Sequence, residues 1–397
     1  MIVPTKAHAM KADSCRGCES RNLFTIHDFS SQPLAGYYPT QPESRSAAKR
    51  YPLDLTQCGQ CGLLQVVNMP PIEEVFHANY RYSSSTVPAL VRHFIGFEQW
   101  LAALLPRGAR VFEFGCNDGV LMERLRDLGF ECAGIDASDN VAALARAKGL
   151  SVATGFLTVG YVRSAGLTAQ FDVVTCSNVF AHIHELRATL DAVRELLKPN
   201  GLFCVEVHDG ELLRSRNQFE TIYHEHLTYF TERTLRSLLA ANGFEFVRCD
   251  RTDMHGGGLR FLARKANGVE MRNAVAQDQG EELAGYDFIE PVIERCRHDL
   301  LELTAAYGEL VGYGAAGRSQ MFINFTRSAG MFSRVYDDSE FRQGRYIAGT
   351  DIPIAKFDAQ HSKCVVILAW NYAEDISRRV RNHADKVVTL LPEMRFW

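Results

Sequence analysis

The chain has 397 residues, 46% of them hydrophobic and 23% charged, with a formal net charge of −4. That length exceeds one hydrophobic core and points to two or three domains of an ordinary globular protein. The near-neutral charge excludes a nucleic-acid footprint or polybasic membrane patch, no apolar run is long enough to cross a bilayer, and the N-terminus lacks an apolar core of signal-peptide length. A cytoplasmic protein without nucleic-acid or membrane partners is expected, with a monomer favoured.

Eleven cysteines, an odd and scattered set, do not read as a disulfide framework. Four of them form two C-x-x-C pairs, Cys15–Cys18 and Cys58–Cys61, separated by 39 residues. Each pair lets a tight turn aim two thiolates at one metal, and two pairs complete the S4 set of a structural zinc site. Such a site has no open coordination position, so it holds a fold together rather than carrying out chemistry. Pro70-Pro71 ends this segment, giving a zinc-binding domain over residues 1–72. The loop that follows, Asn79-Tyr80-Arg81-Tyr82-Ser83-Ser84-Ser85, reads as a lid or a linker before a helical pattern running through Trp100.

A second domain is expected over 73–265. Residues 110–114 (RVFEF) form a short buried strand, Gly115-Cys-Asn-Asp-Gly119 a glycine turn, and 120–130 a helix with apolar positions at helical spacing. Strand, glycine turn and helix make a nucleotide-binding unit, in which Gly115 and Gly119 let the backbone approach a ligand. The strand at 132–135 ends at Asp136, an acid able to accept both ribose hydroxyls. Further strands are expected at 171–177, 202–207, 244–249 and 259–263, with helices at 186–197 and 234–242 and a turn at 198–201. The E/D-x-G-x-x-x-G turn resembles the first motif of class I S-adenosylmethionine-dependent methyltransferases. That resemblance implies seven strands with a reversed last hairpin, and residues beyond the fourth and fifth strands (Asn178, Phe180 and His182; His208 onward) facing the transferable methyl.

After the fifth strand comes Phe219–Phe230, FETIYHEHLTYF, where Tyr223, His224, Glu225 and His226 are adjacent groups that donate, accept or titrate. Histidine suits general-base work, and a neighbouring carboxylate can fix its tautomer. A hydrogen-bonded core segment is the plain alternative.

The third domain, 266–397, begins with a long helical pattern at 281–307. Residues 310–314 then lead through Ala315-Ala-Gly-Arg318 into a helix, followed by strands at 334–336, 364–369 and 386–391. This reads as a smaller Rossmann-like sheet. A second cofactor such as NAD is set aside because the G-x-G-x-x-G fingerprint is taken as incomplete.

Taken together, the two C-x-x-C pairs, YRYSSS, EFGCNDG, NVFAHI at 178–183, FETIYHEHLTYF, HGGGLR at 255–260, GYGAAGR at 312–318 and GTDIPI at 349–354 resemble the three-domain sugar C-methyltransferases, which act on thymidine-diphosphate-linked deoxysugars in antibiotic pathways. The match runs along nearly the whole chain. It departs in HGGGLR, where the family commonly has serine, and in EVHDGELL, which replaces a usual Pro-Tyr-containing stretch near the acceptor. The resemblance implies an α/β fold: a class I methyltransferase core flanked by an N-terminal zinc-binding domain and a C-terminal Rossmann-like domain that closes over a nucleotide-sugar. It implies S-adenosylmethionine as cofactor with zinc as a structural metal on Cys15, Cys18, Cys58 and Cys61. Cofactor contacts would come from Glu113, Gly115, Asn117, Asp118, Gly119, Asp136, Ser177 and Asn178. Catalysis would fall to Tyr223, Glu225, His226 and His182, with His224 beside them. Tyr80, Tyr82, His255, Gly314 and Arg318 would border the substrate, the last two meeting phosphate. On this expectation His226 or His182 takes a proton next to a sugar ketone, Glu225 orients or balances the imidazolium, and Tyr223 donates to the enolate oxygen. O- or N-methylation of a related acceptor is the alternative enzyme, and a non-catalytic zinc-ribbon binding protein the alternative outside catalysis.

Overall fold

In the computed structural model, residues 10–43, 47–75, 84–86, 88–266 and 285–397 are described. Tyr80, Tyr82 and residues 281–284 of the helix expected at 281–307 lie outside them; residues 285–288 form a turn, and the helix begins at Ile289. Three larger sheets organise the chain.

The central sheet has seven strands, in spatial order Phe244–Thr252, Gly258–Lys265, Leu197–His208, Phe171–Ser177, Arg110–Phe114, Glu131–Asp136 and Ser151–Thr154. The last five in that order pair in parallel, and Gly258–Lys265 runs antiparallel to both its neighbours. That is the reversed last hairpin expected of a class I methyltransferase. Phe171–Ser177 is apolar on both faces and buried almost throughout, as a parallel strand covered on two sides must be. Several expected boundaries move by two or three residues, and one changes an element: the fifth strand begins at Leu197, and 198–201 is absorbed into it through a register shift between Leu197 and Leu202.

The N-terminal sheet contains Leu23–Gln32, Tyr51–Cys58 and Leu64–Val66, and its fourth strand is Thr228–Tyr229, supplied by the stretch after the fifth central strand. Leu53 and Leu55, two residues apart, share one face of that sheet with Leu64 and Val66 in a single buried cluster. The same cluster takes in Phe219, Ile222 and Tyr229, and Met321, Phe322 and Phe325 of the helix Gly317–Phe325. Cys15, Cys58 and Leu63 instead join the core of the central sheet with Leu235 and Leu238. The N-terminal sheet is thus wedged between the other two, packed on both sides.

The C-terminal sheet has six strands: Ile354–Ala355, Phe332–Tyr336, Leu310–Tyr313, Ser362–Ile367, Ala384–Thr389 and, antiparallel at its edge, Arg395–Phe396. The first five pair in parallel, which makes this unit Rossmann-like as expected. Helix Ile289–Tyr307 buries Val292, Ile293, Cys296 and Leu300, spaced for one face, in the shared cluster. No helix among the described residues is long and apolar enough to cross a membrane.

Candidate active site

The glycine turn follows strand Arg110–Phe114 with left-handed backbone at Gly115 (φ 64°), Asn117 (φ 51°) and Gly119 (φ 74°). Asp136 fixes it from the next strand, its carboxylate accepting from the Asn117 N–H at 2.8 Å and the Ser138 N–H at 2.9 Å. Ser84 and Ser85 reach the same turn, donating backbone N–H groups to Asn117 Oδ1 (2.9 Å) and Asp118 Oδ2 (3.1 Å). Below the turn Glu113 is buried, and its Oε2 has no hydrogen-bond partner among the described residues. Burial, followed by the negative charges of Asp136, Asp118 and Glu206, raises its carboxyl well above the usual range. Its orphaned Oε2 is an acceptor that an incoming cation would satisfy, favouring the ionised carboxylate as it binds, and S-adenosylmethionine carries an ammonium and a sulfonium. These residues fit the cofactor.

One part of this end was not anticipated from sequence. Glu206, near the end of the fifth strand, lies opposite Ser177 on one side of the ladder and Arg260 on the other. Its carboxylate accepts from Ser177 Oγ (2.7 Å) and Arg260 Nε (2.8 Å), and it meets His93 Nε2 at 2.8 Å. Burial alone would raise this carboxyl, but His93, Arg260 and Ser177 hold it below its ordinary value. Asn178 (φ 56°) caps the arrangement, donating its N–H to the Glu206 carbonyl at 2.9 Å. The available signal was an acid two residues from the end of a parallel strand, where a ligand face is expected.

The FETIYHEHLTYF stretch forms neither long helix nor long strand, so neighbouring side chains serve different partners. His226 Nδ1 lies 2.9 Å from the Thr221 carbonyl and Nε2 lies 2.8 Å from Tyr223 Oη. A carbonyl only accepts, so the proton of the neutral ring belongs on Nδ1, and Nε2 presents its lone pair to the phenol. Thr221 therefore sets the tautomer, in place of the neighbouring carboxylate anticipated above. Burial, then His182, pushes His226 well below its ordinary pKa, with His208 and Arg318 adding to the effect. The His182 ring lies 5.0 Å from that of His226, centroid to centroid, and burial lowers its pKa to about 4. Both imidazoles are neutral near pH 7.

Glu225 accepts from the Gly36 N–H at 3.0 Å, and burial raises its carboxyl to about 7. It lines a small cleft, with room for about one water, together with His182, His184, His224, Met69 and Pro70. His224 is an anchor: it is 1% exposed, and its Nε2 lies 3.1 Å from the carbonyls of both Tyr51 and Pro52.

On the C-terminal side, Arg318 is committed to protein partners. Its Nε donates to Glu220 Oε1 at 3.1 Å, its Nη2 to the same oxygen, and its Nη1 to the His255 carbonyl at 2.6 Å. Trp370 Nε1 adds a third donor to Glu220 at 2.9 Å, and the guanidinium lies over the Trp370 ring. His255 and Arg318, expected to border the substrate, are therefore joined to each other; Glu220 was missed. The glycine spacing here also needs correction: Gly312, Gly314 and Gly317 do complete G-x-G-x-x-G. Gly314 has φ 93°, and an added Cβ would lie 2.5 Å from that of Ala369. At Gly317 a Cβ would lie 3.1 Å from that of Ala35. The chain itself thus occupies the helix start where a dinucleotide's pyrophosphate rests in such folds.

The four sulfurs of Cys15, Cys18, Cys58 and Cys61 all lie within 4.8 Å of one another, with Cys15–Cys61 and Cys18–Cys58 each at 3.5 Å. Tetrahedral zinc with bonds of about 2.3 Å requires sulfurs roughly 3.8 Å apart. The cluster fits structural zinc.

Models of known families match along the chain: a zinc binding domain at residues 15–76, a methyltransferase domain at 87–248 and a C-methyltransferase C-terminal domain at 253–392. The C-methyltransferase NovU of Streptomyces niveus is 30% identical over 406 aligned residues, covering 96% of each chain. A ubiquinone biosynthesis O-methyltransferase of Cereibacter sphaeroides is 40% identical over 111 residues, 27% of this chain and 44% of its own. Among solved structures, the magnesium protoporphyrin IX methyltransferase of Synechocystis PCC 6803 with bound SAM aligns with 44% of this chain and 79% of its own at 20% identity, with a TM-score of 0.35. Full-length similarity to a C-methyltransferase, together with the three family matches, places the chain among the S-adenosylmethionine-dependent C-methyltransferases that join a zinc-binding domain, a methyltransferase domain and a C-methyltransferase C-terminal domain.

Proposed function

We propose that the enzyme methylates a ring carbon next to the ketone of a nucleotide-linked 4-keto-deoxysugar, with thymidine diphosphate as the carrier. In this reading, residues 1–72, 73–265 and 266–397 serve respectively as zinc-bound support, methyl-transfer core and nucleotide-sugar cover. The observation that carries it is the Thr221–His226–Tyr223 chain, which leaves a neutral imidazole with its Nε2 lone pair against a phenol hydroxyl. A carbon becomes nucleophilic only after losing a proton, and a hydrogen beside a carbonyl is acidic enough for such a base.

His226 Nε2 takes that proton, and the C–H electron pair passes to the ketone oxygen. Tyr223 donates its hydrogen bond to the enolate oxygen as the charge develops. His182 holds the far side of the imidazole, and Glu225, ionised above about pH 7, offsets the imidazolium. S-adenosylmethionine, when bound, supplies an electrophilic methyl. Gly115, Gly119, Asp136 and Glu113 hold that cofactor, while Ser177 and Asn178 border it. The C-terminal unit covers the sugar nucleotide, with the Arg318–His255 pair forming part of its wall.

The test is incubation in D2O with thymidine-diphospho-4-keto-deoxysugars, with and without S-adenosylmethionine, followed by mass spectrometry and NMR. Deuterium should enter the carbon beside the ketone, and a methyl should then appear there. His226→Asn should lose both while still binding S-adenosylmethionine. A methyl on oxygen or nitrogen without exchange would replace this reading with the O- or N-methyltransferase alternative.

A further inference from the structure

Segment 33–39 of the N-terminal unit crosses to the C-terminal sheet and is held there at several points. Tyr38 Oη donates to the Ala315 carbonyl at 3.0 Å, and Arg345 Nη1 donates to the Tyr38 carbonyl at 3.2 Å. Gln320 Nε2 donates to the Ala35 carbonyl, and the Tyr346 N–H donates to that of Pro39 at 3.0 Å. Ala35 rests on Gly317 at the start of the C-terminal glycine helix. From this fixed segment one backbone group points back to the cleft: the Gly36 N–H, 3.0 Å from Glu225 Oε1. A Cβ built on Gly36 would lie 2.8 Å from that oxygen, so a side chain here would push the Glu225 carboxylate aside.

We propose that Gly36 is a positioning residue for the reaction: its N–H fixes the Glu225 carboxylate in the cleft shared with His182, and the C-terminal sheet, by gripping segment 33–39, sets where that N–H stands. This rests on the C-methylation reading for what Glu225 does, but the contact itself does not. Around Glu225 stand His182, His184 and His224, which line the cleft with it, and Tyr38 from segment 33–39, whose phenol feels its charge; Tyr223 and His226 are its neighbours in the stretch. Beyond Tyr38 lie Arg342 and Asp337 of the C-terminal sheet, both in the electrostatic surroundings of the Tyr38 phenol. Among these influences the Gly36 N–H opposes the upward push of burial on Glu225 by hydrogen-bonding to the ionised form.

The test compares full-length wild type, Gly36→Ala and Tyr38→Phe. Each is made with 13C-carboxyl-labelled glutamate, the Glu225 resonance being assigned by its loss in Glu225→Gln. Titration without any sugar should show the Glu225 midpoint rising by about one to two pH units in Gly36→Ala, and less in Tyr38→Phe. With the thymidine-diphospho-4-keto-deoxysugar that wild type turns over, the ascending limb of kcat should move upward by the same amount, with KM within about twofold. A Glu225 midpoint that stays put in both folded variants overturns the proposal, as does a kcat loss without movement of the limb. The carboxyl titration needs no acceptor, so it decides the contact even where the nucleotide-sugar reading fails.

Discussion

Glu220 and Arg318 are 98 residues apart and join the 219–230 stretch to the C-terminal sheet through a pair in which Glu220 is 1% exposed. Three donors converge on its Oε1, two from Arg318 and one from Trp370, while Oε2 is buried without a partner among the described residues. Removing the carboxylate in Glu220→Ala strands a guanidinium whose side chain is 17% exposed. Breaking one partner out of a buried pair costs about 3–5 kcal/mol. Glu220→Gln keeps an acceptor for the same donors and loses only the neutralising charge, so a loss of about 1–3 kcal/mol is expected. Glu220→Ala combined with Arg318→Met removes both charges and should be less destabilised than Glu220→Ala alone, giving a coupling energy of about 2 kcal/mol or more. Urea unfolding followed by tryptophan fluorescence measures wild type, the two Glu220 variants, Arg318→Met alone and the double variant, with Trp370 reporting from inside the network. If Glu220→Ala lies within about 0.5 kcal/mol of wild type, or the two single changes simply add, then the pair is not the tie between these units.

Other outcomes follow from the same geometry. Asp136→Ala should weaken S-adenosylmethionine binding by about ten- to a hundredfold in calorimetry, because the turn loses the acceptor of the Asn117 and Ser138 N–H groups; a change under threefold would remove Asp136 from the cofactor site. Cys58→Ser should lose the bound zinc by elemental analysis and become protease-sensitive near residue 58, since Cys58 and Leu63 pack into the central core. His224, held at about 4 by burial, is neutral in the fold while an unfolded histidine protonates near 6.5. Its contribution to stability is therefore complete above pH 6.5 and is lost as pH falls through 4, with a slope of at most about 1.4 kcal/mol per pH unit. His224→Gln should flatten the stability curve by that amount between pH 6.5 and 4; parallel curves would show that this imidazole does protonate in the fold.

The sequence was legible where a feature is local. Gly115, Gly119 and Asp136 sit on one strand-turn-helix-strand unit, and Cys15–Cys18 and Cys58–Cys61 each fit in a single turn, so composition and spacing were enough. Register and long-range contact decided the rest. Glu206 acquires its role only because the ladder puts Ser177 and Arg260 on either side of it. Gly36 meets Glu225 across 189 residues, and no periodicity carries that information. The orientation of His226 turned on a carbonyl five residues back, which side-chain reading overlooks. The C-terminal glycine fingerprint shows the reverse hazard: complete in sequence, it lies against Ala35 of the chain itself.

The stretch 219–230 could work in neither regular conformation. On a helix its polar groups would spread around the axis, and on a strand they would alternate between two faces. As irregular backbone it assigns them one by one: Glu220 to Arg318, Thr221 to the His226 ring, His224 to the Tyr51 and Pro52 carbonyls, and Glu225 to Gly36. The Leu227 N–H then goes to the Ala181 carbonyl beside His182, and Thr228–Tyr229 to the N-terminal sheet. Irregular backbone is costly to order and stays fixed only where its surroundings over-determine it. Here the ordering contacts come from all three units, and His226 lies between anchors belonging to different ones. On the proposed reading, a base held in this way is correctly placed only when the three are assembled, which gives the flanking units a reason to be joined to the methyltransferase sheet.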